Sequence, residues 1–237
     1  MDQTVNLKQL LEAGVHFGHH SRRWNPKMKP FIFGKKQGIF IIDLEKSLER
    51  LRAAYDAVRN ITESGRDILF VGTKQQARPI VEEEAGRCGS NFVTERWLGG
   101  LLTNFEIVST RINRLSDLDR MIDDNQYGNV TKKEALMLRR EHKKLMRTFA
   151  GLKHMDRLPG ALFVVDPVRE ATAVAEARRV KIPVVALIDT NGDPTGIEYP
   201  IPGNDDALRS IRLMTSTIAN AVMDGRKQFD SESEEAR

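Results

Sequence analysis

ALFVVDPVREATAVAEARRVKIPVVALID, residues 161–189, decides the fold class. It opens on one unbroken apolar run, ALFVV, and closes on another, PVVALID. Between them, residues 169–179 set alanines and valine among charged residues at helical spacing. An apolar run without polar alternation reads as a strand covered on both faces. Two such strands joined by a helix need a crossover connection, which makes them parallel.

The same unit recurs outward from this stretch. GIFIIDL (38–44) starts a strand–helix alternation and leads into a helix over 44–63, with Leu44, Leu48, Leu51, Ala54, Tyr55, Val58 and Ile61 as its apolar positions. DILFVG (67–72) is a second strand, followed by a helix over 75–87 and a weaker strand, NFVTERW (91–97). A last helix spans 206–225. Short apolar strands separated by helices predict an α/β fold: a doubly wound parallel sheet with helices on both faces.

Residues 104–157 interrupt the alternation with two successive helices, about 104–124 and 131–155, joined by NQYGNVT. The second arm carries a 3-4-3-4-3 seam: Ala135, Leu138, His142, Leu145, Phe149 and Leu152. The first offers Phe105, Val108, Ile112, Leu115 and Ile122, with Asp119 breaking its heptad. The pattern predicts an inserted antiparallel coiled-coil hairpin with arms of roughly 30 Å. His142 in that seam reads as a packed, hydrogen-bonded histidine.

The expected organisation is therefore an N-terminal helix (6–13) and basic loop within 1–37, an α/β domain over 38–103 and 158–227, the hairpin at 104–157, and an acidic disordered tail at 228–237.

The 237 residues carry 37 lysines and arginines against 33 acids, a net charge of +4. That total hides two basic segments. Residues 1–36 hold seven cations and two acids, and residues 131–157 hold nine cations and three acids. The first hairpin arm, 104–124, has three cations and five acids. On the second arm Lys133, Arg140, Lys143, Lys144 and Arg147 fall opposite the apolar seam. Such a stripe suits a phosphate backbone, although a solvated helix face is the plainer alternative. In the N-terminal loop, Arg22, Arg23, Lys27, Lys29, Lys35 and Lys36 mix with Trp24, Phe31 and Phe33, a combination that binds phosphates and stacks on bases. Its aromatics could instead pin the loop to the core.

Other motifs argue against an enzyme. FVGTKQQAR places Lys74 just after a strand, where α/β folds hold phosphates, but neither a P-loop nor a G-x-G-x-x-G is present. Arg96 and Asn104 bracket WLGGLLT, whose two glycines precede a helix capped by Thr103 or Asn104. Its N–H groups could meet a phosphate, or the turn could be purely structural. DTNGD (189–193) mimics an EF-hand start but has Pro194 and Pro200 where glycine and glutamate are needed. His16, His19 and His20 fit no zinc spacing, so no metal and no cofactor is expected. The lone cysteine, Cys88, rules out a disulfide framework and suits a reducing compartment. With no long apolar run and a polar N-terminus, the expected location is the cytoplasm.

EAGVHFGHHSRRWNPKMKPFIFG, GIFIIDLEKS, ILFVGTKQQA, RWLGGLLTNF, LPGALFVVDP and IPVVALIDTNGDPTGIEYPIPGNDDALRSI together resemble the bacterial small-subunit ribosomal protein S-two family over residues 12–212. The resemblance implies a flavodoxin/Rossmann-like sheet with a coiled-coil insertion. It also implies a structural role in the small subunit near its head–body junction, with 16S-type rRNA and neighbouring ribosomal proteins, including the large S-one protein, as partners. It implies no catalytic activity. The contrasting readings are a nucleotide- or sugar-phosphate-binding enzyme on the same fold, which lacks its phosphate loop here, and a free RNA chaperone.

Overall fold

A computed structural model describes residues 5–123 and 131–235. Its centre is a five-stranded parallel sheet built from β4 (Ile68–Val71), β5 (Asn91–Val93), β6 (Ala161–Val165), β7 (Val184–Ile188) and β8 (Tyr199–Pro202), in the order β5-β4-β6-β7-β8. In register, Leu69 faces Leu162 and Val164 faces Ala186. β4, β6 and β7 are fully buried along their length, as continuous apolar runs require.

Alternate residues feed two cores. Phe70, Phe163 and Leu187 point to a face covered by α2 (Leu44–Glu63), α3 (Arg78–Arg87) and α7 (Leu208–Glu235). Phe70 and Phe163 meet edge to face at 5.4 Å. Leu69, Leu162 and Ala186 point the other way, toward α6 (Ala171–Arg179), the turn holding Trp97, Leu101 and Leu102, and the base of the hairpin.

Four sequence expectations change. GIFIIDL does form a strand, β3 (Ile39–Ile42), but in a separate antiparallel sheet ordered β1-β3-β2, with β1 at Phe17–His20 and β2 at Ile32–Lys36. Gln37 and Gly38 have φ of 51° and 84°, the two left-handed positions of a type I′ hairpin, so residues 32–42 turn back locally instead of crossing over. The loop expected to be irregular thus holds two strands and two short 3-10 helices (Ser21–Arg23 and Pro26–Phe31), preceded by α1 (Leu7–Glu12). β8 is a strand that the sequence reading does not include; its Pro200 and Pro202 are tolerated because it lies at the sheet edge, where missing N–H groups cost nothing. Finally, α7 runs through Glu235, so most of the tail expected to be disordered is helical. Phe229 in this extension lies over Gly65, whose φ is +74°. Residues 236–237 lie outside the described residues.

The hairpin helices are α4 (Phe105–Asp123) and α5 (Lys132–Phe149), and the linking residues 124–130 lie outside the described set. Val108, Ile112, Leu115 and Leu118 of α4 are buried, as are Phe149 and the following Leu152. Asp119 breaks the apolar spacing for a reason: its carboxylate accepts from Lys153 Nζ at 2.8 Å and contacts His142 Nε2 at 2.7 Å. Leu118, one position earlier, takes the buried place.

α2 and α7 pack along one another. Tyr55 donates from its hydroxyl to Asp224 across that contact. Burial first, then this hydrogen bond, pushes the Tyr55 hydroxyl up from 10.0 to about 12. A proton held more tightly in the fold contributes stability that is complete below pH 10 and lost as pH rises through about 12. The urea midpoint of the wild type should therefore fall more steeply across that window than that of Tyr55→Phe. Parallel curves would refute this assignment.

Candidate RNA interface

Local sequence builds the basic face of α5. Thr131 and Glu134 cap its start reciprocally: Thr131 Oγ1 accepts from the Glu134 N–H at 3.3 Å, and Glu134 accepts from the Thr131 N–H at 2.8 Å. Glu141 accepts both Nε and Nη2 of Arg114, at 3.1 and 2.9 Å. Two acids of the arm are thus engaged at the cap and toward α4. Lys133, Arg140, Lys143, Lys144 and Arg147 are all exposed. Among the described residues no carboxylate pairs with Arg140, Lys143 or Lys144.

Arg140, Lys143, Lys144 and Arg147 do not face open solvent alone. They form one wall of a groove of ≈ 760 Å³ whose other wall carries Arg78 from α3 and Glu95 and Arg96 from the loop after β5. Among the described residues six cations and one carboxylate line it. Arg96, singled out in the sequence beside the WLGGLLT turn, lies in the same groove as the α5 cations. Arg78 and Glu95 were not foreseen: in sequence each is an ordinary charge beside a strand or helix start, and only packing turns them inward to the groove.

The WLGGLLT turn is filled from within. Glu176 of α6 accepts from Trp97 Nε1 (3.1 Å), Gly100 N (2.8 Å), Leu102 N (3.0 Å), and Thr103 N and Oγ1 (both 3.3 Å). Burial works against the charged form, but these donors hold the Glu176 carboxyl below its usual range. The anion these N–H groups receive is a side chain of the protein, which favours the structural turn of the two readings left open by the sequence; α4 itself begins beyond them, at Phe105. Asn104, directly before α4, remains exposed.

Lys74 is corrected. It is buried at the carboxyl edge of the sheet, with its ammonium 2.6 Å from Asp205, 2.6 Å from Asp206 and 3.4 Å from Asp166. Burial opposes its charge, yet the Asp205 and Asp206 contacts raise its pKa, so the ammonium is committed internally. Asp205 in turn is pushed up to about 7 by burial, then by Asp166 and Asp189, against the pull of Lys74. His19 joins from β1, 2.8 Å from Asp189 and 3.3 Å from Asp206, and its hydrogen bond to Asp189 raises its pKa. Among the described residues, His19, Asp189, Asp205 and Asp206 are the group that could hold a metal ion, with donor atoms within 4.8 Å of one another. His16 and His20 are not in it. The aspartates come from distant loops, so histidine spacing alone did not reveal the group.

The N-terminal cations divide. Arg22, Arg23, Lys29, Lys35 and Lys36 are exposed. Lys27 instead pairs with Asp193 at 2.7 Å. Trp24 is half-buried against Phe40, ring centroids 4.9 Å apart, and so anchors the loop, whereas Phe33 is 79% exposed.

Arginines and lysines thus line two facing walls, with an internally satisfied scaffold behind them. Residues 10–225 match the family model described as Ribosomal protein S2. The chain is 54% identical over 232 residues to a small ribosomal subunit protein uS2 from Syntrophobacter fumaroxidans, covering 98% of this chain and 84% of that relative. It is 54% identical over 221 residues to the uS2 of Geotalea uraniireducens, covering 93% and 86%. The chain belongs to the ribosomal protein S2 family. It is a structural constituent of the small subunit of the cytoplasmic ribosome and not an enzyme. The parallel sheet with flanking helices agrees with the fold that the family resemblance implied. Among the described residues no helix is long and apolar enough to cross a membrane.

Proposed function

We propose that the chain holds 16S-type rRNA in the groove between α5 and the Arg78–Arg96 wall, and that the exposed N-terminal cations make a second contact. The observation that carries this reading is the groove itself, in which six cations face one carboxylate. Phosphate neutralisation with counterion release is the interaction such a surface supports. The binding set is Arg22, Arg23, Lys29, Lys35, Lys36, Arg96, Asn104, Lys133, Arg140, Lys143, Lys144 and Arg147, with Arg78 added. Trp24 acts as an anchor for the loop. The opposite arm suits protein neighbours, the large S-one protein among them: α4 is net acidic and shows Ile107 and Met121 to solvent.

Replacing Arg140, Lys143, Lys144 and Arg147 together with glutamine tests the groove. Affinity for in vitro transcribed 16S-type rRNA should fall on the order of 100-fold at moderate salt, and the slope of log K against log salt should shrink by about 3. An unchanged slope would assign α5 to a protein partner.

A further inference from the structure

Among the described residues Glu95 is the one carboxylate lining the groove, and it bridges the two walls. Its Oε2 accepts from Arg147 Nε at 3.1 Å, and its Oε1 lies 3.4 Å from Arg78 Nη1. Arg78 is held in place independently of that carboxylate: its Nε donates to the Thr73 carbonyl at 3.0 Å and its Nη2 to the Glu95 main-chain carbonyl at 3.2 Å. The guanidinium therefore points into the groove whatever the Glu95 side chain does. Arg147 is 79% exposed and Glu95 41% exposed, so neither is locked by burial.

Two oxygens of one oxyanion lying between two guanidinium groups is also how a phosphodiester would sit. We propose that Glu95 is an internal stand-in for an RNA phosphate: it occupies a phosphate subsite formed by Arg78 and Arg147 in the free protein and is displaced when a strand enters the groove. The proposal rests on the RNA reading above.

The balance of interactions favours exchange. Exposed ion pairs are weak, and 3.4 Å is long beside the ~2.7–2.9 Å of a good charge-assisted hydrogen bond. An incoming phosphate brings the same charge and also releases condensed counterions, which a side-chain carboxylate does not. A displaced Glu95 remains solvated, so its departure leaves no buried charge behind. Its contacts to both arginines must nonetheless break before a phosphate enters, so its removal should strengthen the complex.

The experiment measures binding of the full chain to in vitro transcribed 16S-type rRNA across a salt series. Glu95→Gln is expected to bind about threefold tighter or more at fixed salt, with an unchanged slope, because the same phosphate is neutralised in both proteins. In an Arg78→Gln/Arg147→Gln background the gain should disappear, because the subsite is gone. Glu83→Gln is the charge-matched control: it breaks the exposed Glu83–Arg212 pair at 2.9 Å, outside the groove, and should change neither quantity. Weaker binding by Glu95→Gln would make Glu95 a strut and overturn the proposal. So would a gain equal to that of Glu83→Gln, or one that survives loss of both arginines. Absence of salt-dependent binding by the wild type would overturn the RNA reading together with this one.

Discussion

Replacing Glu176 with alanine should destabilise the protein by about 3 kcal/mol or more, a fall in Tm of roughly 6–12 °C for a chain of this size. The carboxylate is buried, and five donors from Trp97, Gly100, Leu102 and Thr103 converge on it. Hydrogen bonds to a charged acceptor contribute about 1.5–3 kcal/mol each, and buried donors left unpaired cost about 1–3 kcal/mol each. Not all five would stay unpaired, since water can reach the partly exposed Gly100 and the exposed Thr103. Glu176→Gln should cost less, because one acceptor oxygen survives, but it turns an amide against facing N–H groups. The loop between Arg96 and Asn104 should loosen as well, so rRNA affinity should drop even at temperatures where the variant is folded. Thermal unfolding followed by circular dichroism reads the first effect and rRNA titration the second. A Tm within about 2 °C of wild type would mean that the turn owes its order to something other than Glu176.

Gly225→Ala should be comparably severe. On helix propensity alone, alanine in place of glycine stabilises by about 1 kcal/mol. Here the added methyl would run into Thr62 Oγ1 and the Arg59 carbonyl of α2, with the Glu63 nitrogen 3.0 Å away. Two of those atoms are backbone of a long helix and cannot swing aside. Overpacking typically costs about 1–3 kcal/mol, occasionally more, and separating α2 from α7 also strains the Tyr55–Asp224 contact. A net loss of about 2–4 kcal/mol in urea unfolding is expected. A variant as stable as wild type would show that the two helices slide apart without penalty.

Much of the fold was legible because its signals are local. Residues 161–189 identified a parallel βαβ unit from apolar runs and helical spacing, and β6, α6 and β7 lie within them. GIFIIDL was legible as a strand, but its sheet partner was not, since the hairpin depends on Gln37 adopting a positive φ that its residue type does not advertise. β8 was hidden by prolines that are tolerated only at a sheet edge, and a residue cannot signal its own place in the strand order.

The candidate interface divides in the same way. Helical periodicity alone set Lys133, Arg140, Lys143, Lys144 and Arg147 on one face of α5, because a helix fixes which of its residues are neighbours. Whether a cation is available depends on which carboxylates the fold brings to it. Asp205 and Asp206 take Lys74, Asp193 takes Lys27, and Glu176 fills the turn that looked ready for phosphate. The family and its parallel sheet were thus determined by the sequence through apolar runs and long distinctive motifs. Which charges remain free for a partner, and that Arg78 and Glu95 face them across a groove, was decided only by the tertiary structure, because charge compensation acts through space between segments that are remote in the chain.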